Sequence, residues 1–237
     1  MTVAAAALKP SDRWMASGLH YAPTRFPQVV GLDGVGRLAD GTRVAFFAPQ
    51  RPYGGMAEQA LVRRGMWFRV PDGVDDVTAA AVTNPGMAAW KALLWEGELA
   101  AGQTVLVLGA TGASGRIATQ LAKRHGARTI AAGRNQRVLD RLLERGADAA
   151  INVDHPRVEL AAAVAAEGPY HLIVDYLWGA PAEAVFAALE EATAAYNDLL
   201  HQVAAGEISL DVDPVPLEKV EQAWAQAGSD RRIVFVP

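Results

Sequence analysis

A glycine-rich segment is the first feature of the sequence that could do chemistry. Residues 109–115 read Gly-Ala-Thr-Gly-Ala-Ser-Gly, a GxxGxxG spacing. They follow Thr104–Leu108, an apolar run typical of a strand buried on both faces, and precede a segment with helical periodicity. In this strand–turn–helix setting the backbone can approach a pyrophosphate, and the helix N-terminus offers free N–H groups to it. The sequence therefore predicts a dinucleotide site at Gly109, Thr111, Gly112, Ala113, Ser114 and Gly115; a tight turn with no ligand is the alternative.

The residues about twenty positions further on predict which dinucleotide binds. An acidic side chain there would pair with the ribose of NAD. This sequence has Gly133 instead, followed by Arg134, with Arg137 close by. A guanidinium suits a 2′-phosphate, so the pattern favours NADPH with Gly133, Arg134 and Arg137 as further binding residues. The alternative is that Arg134 is a solvated surface charge.

The elements around this turn change character near Gln103. Before it, short apolar runs between Gly and Pro predict an irregular β domain with strands at 29–32, 43–47 and 59–62. After it, strands alternate with helices, which predicts a parallel sheet covered on both faces. The expected strands are 104–108, 128–132, 149–153 and 171–177, and the expected helices are 115–125, 138–143 and 158–166. The pattern then predicts one unbroken helix over 182–205, a helix around 217–227 and a strand over 233–236.

Composition narrows the class of protein. The 237 residues are 51% hydrophobic and 20% charged, with a formal net charge of −4 and no cysteine. The absence of cysteine excludes disulfides, thiolate nucleophiles and Cys-ligated zinc. Mild acidity without a basic block argues against a nucleic-acid or membrane-surface partner, and no apolar run is long enough to span a bilayer. The first residues do not resemble a signal peptide, so a soluble, cytoplasmic protein is expected.

Several segments together resemble a known superfamily. A β-rich part placed before a GxxGxxG unit is similar to the medium-chain dehydrogenase/reductases, specifically the zinc-free quinone oxidoreductase branch. Short-chain dehydrogenases have the glycine motif near the N-terminus and a Tyr-x-x-x-Lys pair, which this sequence lacks. The matching segments are 7–12 (ALKPSD), 31–36 (GLDGVG), 40–44 (DGTRV), 53–58 (YGGMAE), 79–90 (AAAVTNPGMAAW), the glycine turn, 145–148 (RGAD) and 233–237 (IVFVP).

The resemblance implies an α/β protein with two domains. A GroES-like β domain would comprise 1–98, completed by 207–237, and a Rossmann-type doubly wound domain would comprise 99–206. The active site would lie in the cleft between them. The implied activity is NADPH-dependent, zinc-independent reduction of a small-molecule quinone or α,β-unsaturated carbonyl. No metal site is expected, because the GHE-type zinc motif of relatives reads Gly-Leu-Asp at 31–33; a homodimer is left open.

The matching motifs also suggest which residues line the cleft. The catalytic candidates are Lys9, Tyr53 and Asn84, and Ser11 and Met87 are expected nearby. Lys9 stands where the family commonly has Asn, and it could pair with a phosphate or stabilise an oxyanion. Each has an alternative: Lys9 as a solvated turn residue, Tyr53 as a packing ring, Asn84 as a turn former. Asp33 is expected to be a structural carboxylate, and Asp175 could lie near the ribose or be structural.

The chain departs from the family by being short. An opening β-hairpin has no counterpart. After residues 189–191 the family also has a strand, a glycine turn that lines the nicotinamide pocket, and a further strand often used in dimerisation, which this sequence lacks. About four of the usual six strands of the nucleotide-binding sheet are therefore expected. Either the protein lacks these parts or the sequence omits segments of a longer chain. If they are truly absent, dinucleotide binding should survive while hydride transfer is impaired. A catalytically weak NADPH-binding or sensor protein is therefore the alternative function.

Overall fold

A computed structural model describes residues 1–19, 27–224 and 231–236, and their side chains except at 190–195. Contacts divide the chain into two compact units, Met1–Ala184 and Val185–Pro237. The first unit contains both larger sheets, and each unit is described by itself. Over the described residues, no helix has the length and apolar character needed to cross a membrane.

The first sheet is antiparallel and has four strands in the order β1-β2-β3-β4. They are β1 (Thr2–Ala5), β2 (Asp33–Arg37), β3 (Arg43–Phe47) and β4 (Trp67–Arg69), with the short helix α1 (Pro10–Ala16) between β1 and β2. The side chains of Val35, Val44 and Phe46 are fully buried. The predicted strand at 43–47 is thus confirmed as β3.

The strands predicted at 29–32 and 59–62, before the parallel sheet, are not formed. In 29–32 the backbone turns at Gly31 (φ +106°) and accepts hydrogen bonds from Gly55 and Met56 at Gly31 and Val30. A Cβ on Gly31 would lie 2.6 Å from the Met56 nitrogen, so this crossing of two loops requires glycine. In 59–62 only an isolated bridge from Gln59 to Thr2 forms. Val29 and Leu61 are exposed while Gly31 and Ala60 are buried, so the apolar residues of these two segments do not mark strands.

The second sheet is parallel, with strand order β7-β6-β5-β8. Its strands β5 (Thr104–Leu108), β6 (Arg128–Gly133), β7 (Ala149–Asn152) and β8 (Leu172–Asp175) alternate with helices α3 (Ala113–Arg124), α4 (Gln136–Glu144) and α5 (Arg157–Glu167). All of β5 is buried. The predicted alternation and α/β class are confirmed. The strand expected over 171–177 ends at Asp175, because its carboxylate accepts hydrogen bonds from the backbone N–H groups of Leu177 and Trp178 and turns the chain.

One helix belongs to the cores of both sheets. It is α2 (Asp76–Trp90), which begins where the Asp75 side chain accepts from the Thr78 N–H and continues as a π-helix over Lys91–Glu96. Near its start, Ala79 and Ala80 pack with Val35 and Ala45 of the first sheet. Near its end, Ala89, and Leu93 in the π-helix, pack with the parallel sheet. The middle of α2 therefore lies at the junction of the two cores, and this is where Asn84 and Pro85 occur.

The remaining elements are α6 (Ala180–Ala188), α7 (Glu190–Ala204), β9 (Val212–Pro216), a 3₁₀ turn over Leu217–Lys219, α8 (Val220–Trp224) and β10 (Arg232–Val236). Strands β9 and β10 pair in parallel. The prediction of one unbroken helix over 182–205 is wrong: Leu189 is extended (φ −93°, ψ 103°) and separates α6 from α7. The predicted strand over 233–236 is confirmed. Residues 225–227 of the predicted closing helix, and Pro237, lie outside the described residues.

Candidate active site

The glycine turn forms the N-terminal end of α3 in the geometry that a diphosphate needs. Gly109 has φ +81°, a backbone conformation that is unfavourable for residues with a side chain. Gly112 is the N-cap residue of α3. A Cβ on Gly115 would lie 2.2 Å from the Gly109 oxygen, so only glycine lets α3 start this close to the preceding turn. The first N–H groups of α3, at Ala113, Ser114 and Gly115, have no partner within the helix and are free for a ligand.

The order of the parallel strands puts this turn at a topological switch point. Strand β5 lies between β6 and β8, and the chain leaves the ends of the two flanking strands at Arg134 and Tyr176. Ligands bind outside the carboxyl ends of the strands at such a point. The structure therefore places Arg134 and Tyr176 on opposite sides of the glycine turn.

A cleft of about 610 Å³ opens at this point. It brings together most of the predicted site residues, from segments distant in the sequence. The predicted residues that line it are Lys9, Ser11, Asn84, Gly109, Thr111, Gly112, Ala113, Ser114, Gly115 and Arg134. Four predicted residues, Gly133, Arg137, Tyr53 and Met87, do not line it.

Those four residues have other surroundings. Gly133 is buried beneath the turn, where a Cβ would lie 2.6 Å from the Thr111 Cγ2 atom, so it leaves room for the Thr111 side chain. Arg137 is exposed on α4. Tyr53 is half-exposed and borders a separate small cavity with Met15, and Met87 is exposed on α2. The geometry therefore gives no support to Tyr53 as a group that contacts a substrate in this cleft.

Lys9 is not a solvated turn residue but the centre of a buried ionic cluster. Its Nζ atom lies 2.6 Å from Asp33 Oδ1 and 3.3 Å from Asp12 Oδ2, and it donates to the Ala7 carbonyl at 3.0 Å. Asp12 also accepts from the backbone N–H groups of Lys9 and Leu32. The ammonium thus donates two hydrogen bonds, to Asp33 and to the Ala7 carbonyl, and forms an ion pair with Asp12, so most of its bonding capacity is used within the protein.

The cluster carries one positive and two negative groups, and both carboxylates are only 1% exposed. Burial raises the pKa of Asp33, and the hydrogen bond and charge of Lys9 oppose that shift. Asp33 Oδ2 is buried without a hydrogen-bond partner among the described residues. The cluster therefore fixes the loop that enters α1, as the structural interpretation of Asp33 predicted.

The other polar side chains of the cleft are not committed in this way. Among the described residues, none makes a hydrogen bond or ion pair with the side-chain polar atoms of Ser11, Asn84, Thr111, Ser114 or Arg134. Side chains that keep their donors and acceptors free in a concave site are the ones available to a ligand. This set is the part of the predicted site that the geometry supports.

Sequence reasoning missed several cleft residues. Trp14, Ala80, Ala81, Pro85, Tyr176 and Leu177 also line it. Tyr176 follows β8 directly, so the rule that ligands bind at the carboxyl edge of a parallel sheet could have found it. Burial raises the pKa of its phenol. Asp175, for which a ribose contact and a structural role were both open, uses its carboxylate to hold the turn at 175–178.

Comparison with known proteins agrees with this architecture. No protein-family model matches the chain. The chain is 34% identical over 129 residues to the quinone oxidoreductase of Lama guanicoe, covering 51% of this chain and 39% of that protein. It is 28% identical over 158 residues to the quinone oxidoreductase of Pongo abelii, covering 63% and 48%. The chain thus spans less than half the length of these curated relatives.

Solved structures match over nearly the whole chain. The quinone oxidoreductase of Coxiella burnetii superposes with a TM-score of 0.70 at 21% identity, over 100% of this chain and 72% of that one. The quinone oxidoreductase of Thermus thermophilus, also solved as its complex with NADPH, gives 0.60 at 24% identity, over 97% and 87%. At this identity the structures show the shared fold. Together with the sequence matches, they show that the chain shares the fold of quinone oxidoreductases and is similar in sequence to part of them.

The groups that line the cleft fit a dinucleotide. Gly115 lets α3 start close to the preceding turn, and the free N–H groups at the start of α3, together with Arg134, supply donors for phosphates. Within 1–19, 27–224 and 231–236, no group of three or more His, Asp or Glu side chains is arranged to bind a metal ion. The side-chain groups available in the cleft are hydroxyls, one amide and one guanidinium.

Proposed function

We propose that this chain binds NADPH in the cleft at the glycine turn and uses it to reduce quinones or α,β-unsaturated carbonyls without zinc. The observation that carries the proposal is the convergence of free N–H groups, uncommitted polar side chains and Arg134 around one switch point. The named relatives are quinone oxidoreductases, and one matching fold was solved with NADPH. The proposal includes the domain division at 98/99 and 206/207, a cytoplasmic location and a homodimer as an open option.

Binding is divided between two sets of groups. The N–H groups at the start of α3, with the hydroxyls of Thr111 and Ser114, would hold the diphosphate. Arg134 would pair with the 2′-phosphate, since it is exposed at the end of β6 and has no partner among the described residues. Gly133 would act by leaving space for Thr111, and Arg137 by adding positive charge nearby. NADPH is favoured because no carboxylate follows β6 to repel the 2′-phosphate.

The chain's own groups would orient the substrate and stabilise charge. Bound NADPH supplies a hydride. The side-chain amide of Asn84 can donate a hydrogen bond to a substrate carbonyl oxygen, and that bond strengthens as negative charge develops there. Apolar groups of Leu8, Ala80 and Leu177 line the same cleft and would contact the apolar part of a substrate. Lys9 would act indirectly, by fixing the start of α1, the helix that carries Ser11.

Zinc independence is part of the proposal for a chemical reason. The chain has no cysteine, and Asp33, which stands in the segment where relatives carry a zinc motif, is already paired with Lys9. An oxyanion can be stabilised by fixed hydrogen-bond donors instead of a Lewis acid.

A second candidate function is a weak or inactive NADPH-binding protein, for example a sensor. Two observations favour it: the parallel sheet has four strands over the described residues, and the chain spans 39% and 48% of the two curated relatives named above. In this case the phosphate site would be retained without the segments that position the nicotinamide.

One paired experiment tests the proposal. NADPH binding is measured by fluorescence titration, and NADPH consumption is then followed with 1,4-benzoquinone and with an alkenal. We expect saturable binding and quinone-dependent turnover. Binding without turnover above the no-protein background would favour the sensor function, and the absence of binding would contradict both functions.

A further inference from the structure

We propose that Tyr176 is the proton donor of this site: its phenol donates a hydrogen bond, and then its proton, to the carbonyl oxygen of the substrate being reduced. The inference rests on the proposed function and assigns it a residue that the sequence motifs did not indicate. Tyr176 lines the same cleft as Asn84 and the glycine turn.

The backbone that carries Tyr176 is held from two directions. Its N–H donates to the Leu108 carbonyl at 3.1 Å and so extends the pairing of β8 with β5. On the other side, Asp175 Oδ1 accepts from the N–H of Leu177 at 2.7 Å and from that of Trp178 at 3.0 Å. A Cβ built on Gly109 would lie 3.2 Å from the Tyr176 Cβ, so the base of the ring lies against the glycine turn. Tyr176 therefore has a fixed position at the start of the phosphate site.

Its phenol is available, whereas that of a nearby tyrosine is not. The Tyr170 hydroxyl donates to the Val164 carbonyl at 2.7 Å. The Tyr176 hydroxyl makes no hydrogen bond with any residue in the described part of the chain, and the residue is 36% exposed. Burial also raises its pKa, so the phenol stays protonated at neutral pH and can donate.

Strand order places Tyr176 on the side where reduction would occur. Arg134 follows β6 on one side of β5, and Tyr176 follows β8 on the other. A dinucleotide that crosses the switch point with its 2′-phosphate at Arg134 has its nicotinamide on the β8 side. The substrate must lie against that ring, within reach of groups that follow β8.

The step balances without a further reactant. A hydride, carrying two electrons, bonds to the electrophilic carbon of the quinone or enone, and the displaced π-electron pair moves to the carbonyl oxygen. The Tyr176 O–H bond breaks, its proton bonds to that oxygen, and the phenolate takes a proton from water. The substrate is reduced by two electrons and the dinucleotide is oxidised.

The test uses 4-nitrophenol as a mimic of the anionic intermediate, so that one readout does not depend on turnover. It is titrated into the full chain saturated with NADP⁺, and the pKa of the bound phenol is followed by its phenolate absorbance. We expect wild type to bind the phenolate preferentially and Tyr176→Phe to lose about tenfold or more of that preference, the range for a hydrogen bond to a charged group. With NADPH and benzoquinone, Tyr176→Phe should lower kcat while the NADPH dissociation constant stays the same.

Tyr170→Phe is the matched control, because it removes a hydroxyl with a structural partner. It should lower the unfolding midpoint in urea and leave the nitrophenol preference unchanged. If Tyr176→Phe behaves as wild type while Tyr176→Leu weakens NADPH binding, the ring stacks on the dinucleotide and the proton-donor role is wrong. If wild type itself neither binds NADP⁺ nor consumes NADPH, the proposed function fails, and this proposal fails with it.

Discussion

Two polar regions border the same cleft, and they differ in what remains available to a ligand. Around Lys9, Asp12 and Asp33, the ammonium and one carboxylate use their hydrogen bonds within the protein, and both carboxylates are buried. Around the glycine turn, the side chains of Thr111, Ser114 and Arg134 have no partner among the described residues. Whether a polar residue serves the fold or a ligand therefore depends on the hydrogen-bond donors and acceptors that folding leaves unpaired, and not on its charge. Changes in the first region should affect stability, and changes in the second should affect binding.

The largest effect is expected on breaking the buried cluster. Lys9→Met leaves Asp12 and Asp33 buried without their cation, and we expect a loss of about 3–5 kcal/mol in the free energy of unfolding. The measurement is urea denaturation of the dinucleotide-free protein. Because a loss of this size could unfold the chain, the double variant Lys9→Met/Asp33→Asn is made beside it.

The double variant should recover part of the loss, since it removes one of the two unpaired charges. Where either variant folds, its NADPH affinity should stay close to that of wild type. A Lys9→Met protein with normal stability and weakened NADPH binding would reverse the comparison and place Lys9 among the ligand-binding groups.

A smaller effect, on binding alone, is expected at Arg134. Arg134→Ala removes one charge-assisted contact to the 2′-phosphate, which is worth about 1.5–3 kcal/mol, or roughly a tenfold to hundredfold loss of NADPH affinity. NADH affinity and unfolding free energy should hardly change. Titration at low and high salt checks the electrostatic origin, because an exposed pair is screened.

Arg141→Ala is the charge-matched control, since Arg141 is exposed on α4 and does not line the cleft. Arg141→Ala should leave the affinities for NADPH and NADH unchanged. Arg137→Ala should lower the NADPH affinity by less than Arg134→Ala does. An equal loss of NADPH and NADH affinity in Arg134→Ala would remove Arg134 from the 2′-phosphate.

The smallest effect is a pH dependence from Asp33. Burial raises the pKa of this carboxyl above its ordinary 3.8, so the folded state holds its proton more tightly than the unfolded chain does. The resulting stability is complete below 3.8 and is lost as pH rises through the higher folded-state pKa. Relative to Asp33→Asn, wild type should therefore lose stability over that window and then stay level.

Asp40→Asn is a control for which the pH dependence of stability should have the opposite sign. Hydrogen bonds from Thr42 lower the pKa of the exposed Asp40 carboxyl, so its contribution is present above 3.8 and is lost as pH falls. Unfolding curves for wild type and Asp33→Asn that run parallel across pH would show that burial of Asp33 has no energetic consequence.

The parts of this site that could be predicted from sequence are those with local signals. The turn at 109–115 needs glycines because of backbone geometry at those positions, so spacing alone locates it. The alternation after Gln103 likewise follows from side-chain periodicity. Arg134 was found because its distance from the turn is set by the length of α3 and β6.

The parts that could not be predicted depend on contacts distant in sequence. Lys9 and Asp33 are 24 residues apart, and nothing in either segment shows that they pair. Val29–Leu32 is apolar like a strand, yet its position is set by contact with residues 55–56. The break between α6 and α7 at Leu189 has no Gly or Pro that would predict it, and the helical spacing of apolar residues continues through it.

A structure of the protein crystallised with NADPH tests the central claim most directly. The account predicts density for a diphosphate within hydrogen-bond distance of the backbone N–H groups of Ala113, Ser114 and Gly115. The 2′-phosphate should then lie on Arg134 and the nicotinamide on the side of Tyr176. A crystal grown with saturating NADPH in which this turn is unoccupied, or in which the dinucleotide is bound elsewhere, would contradict the claim.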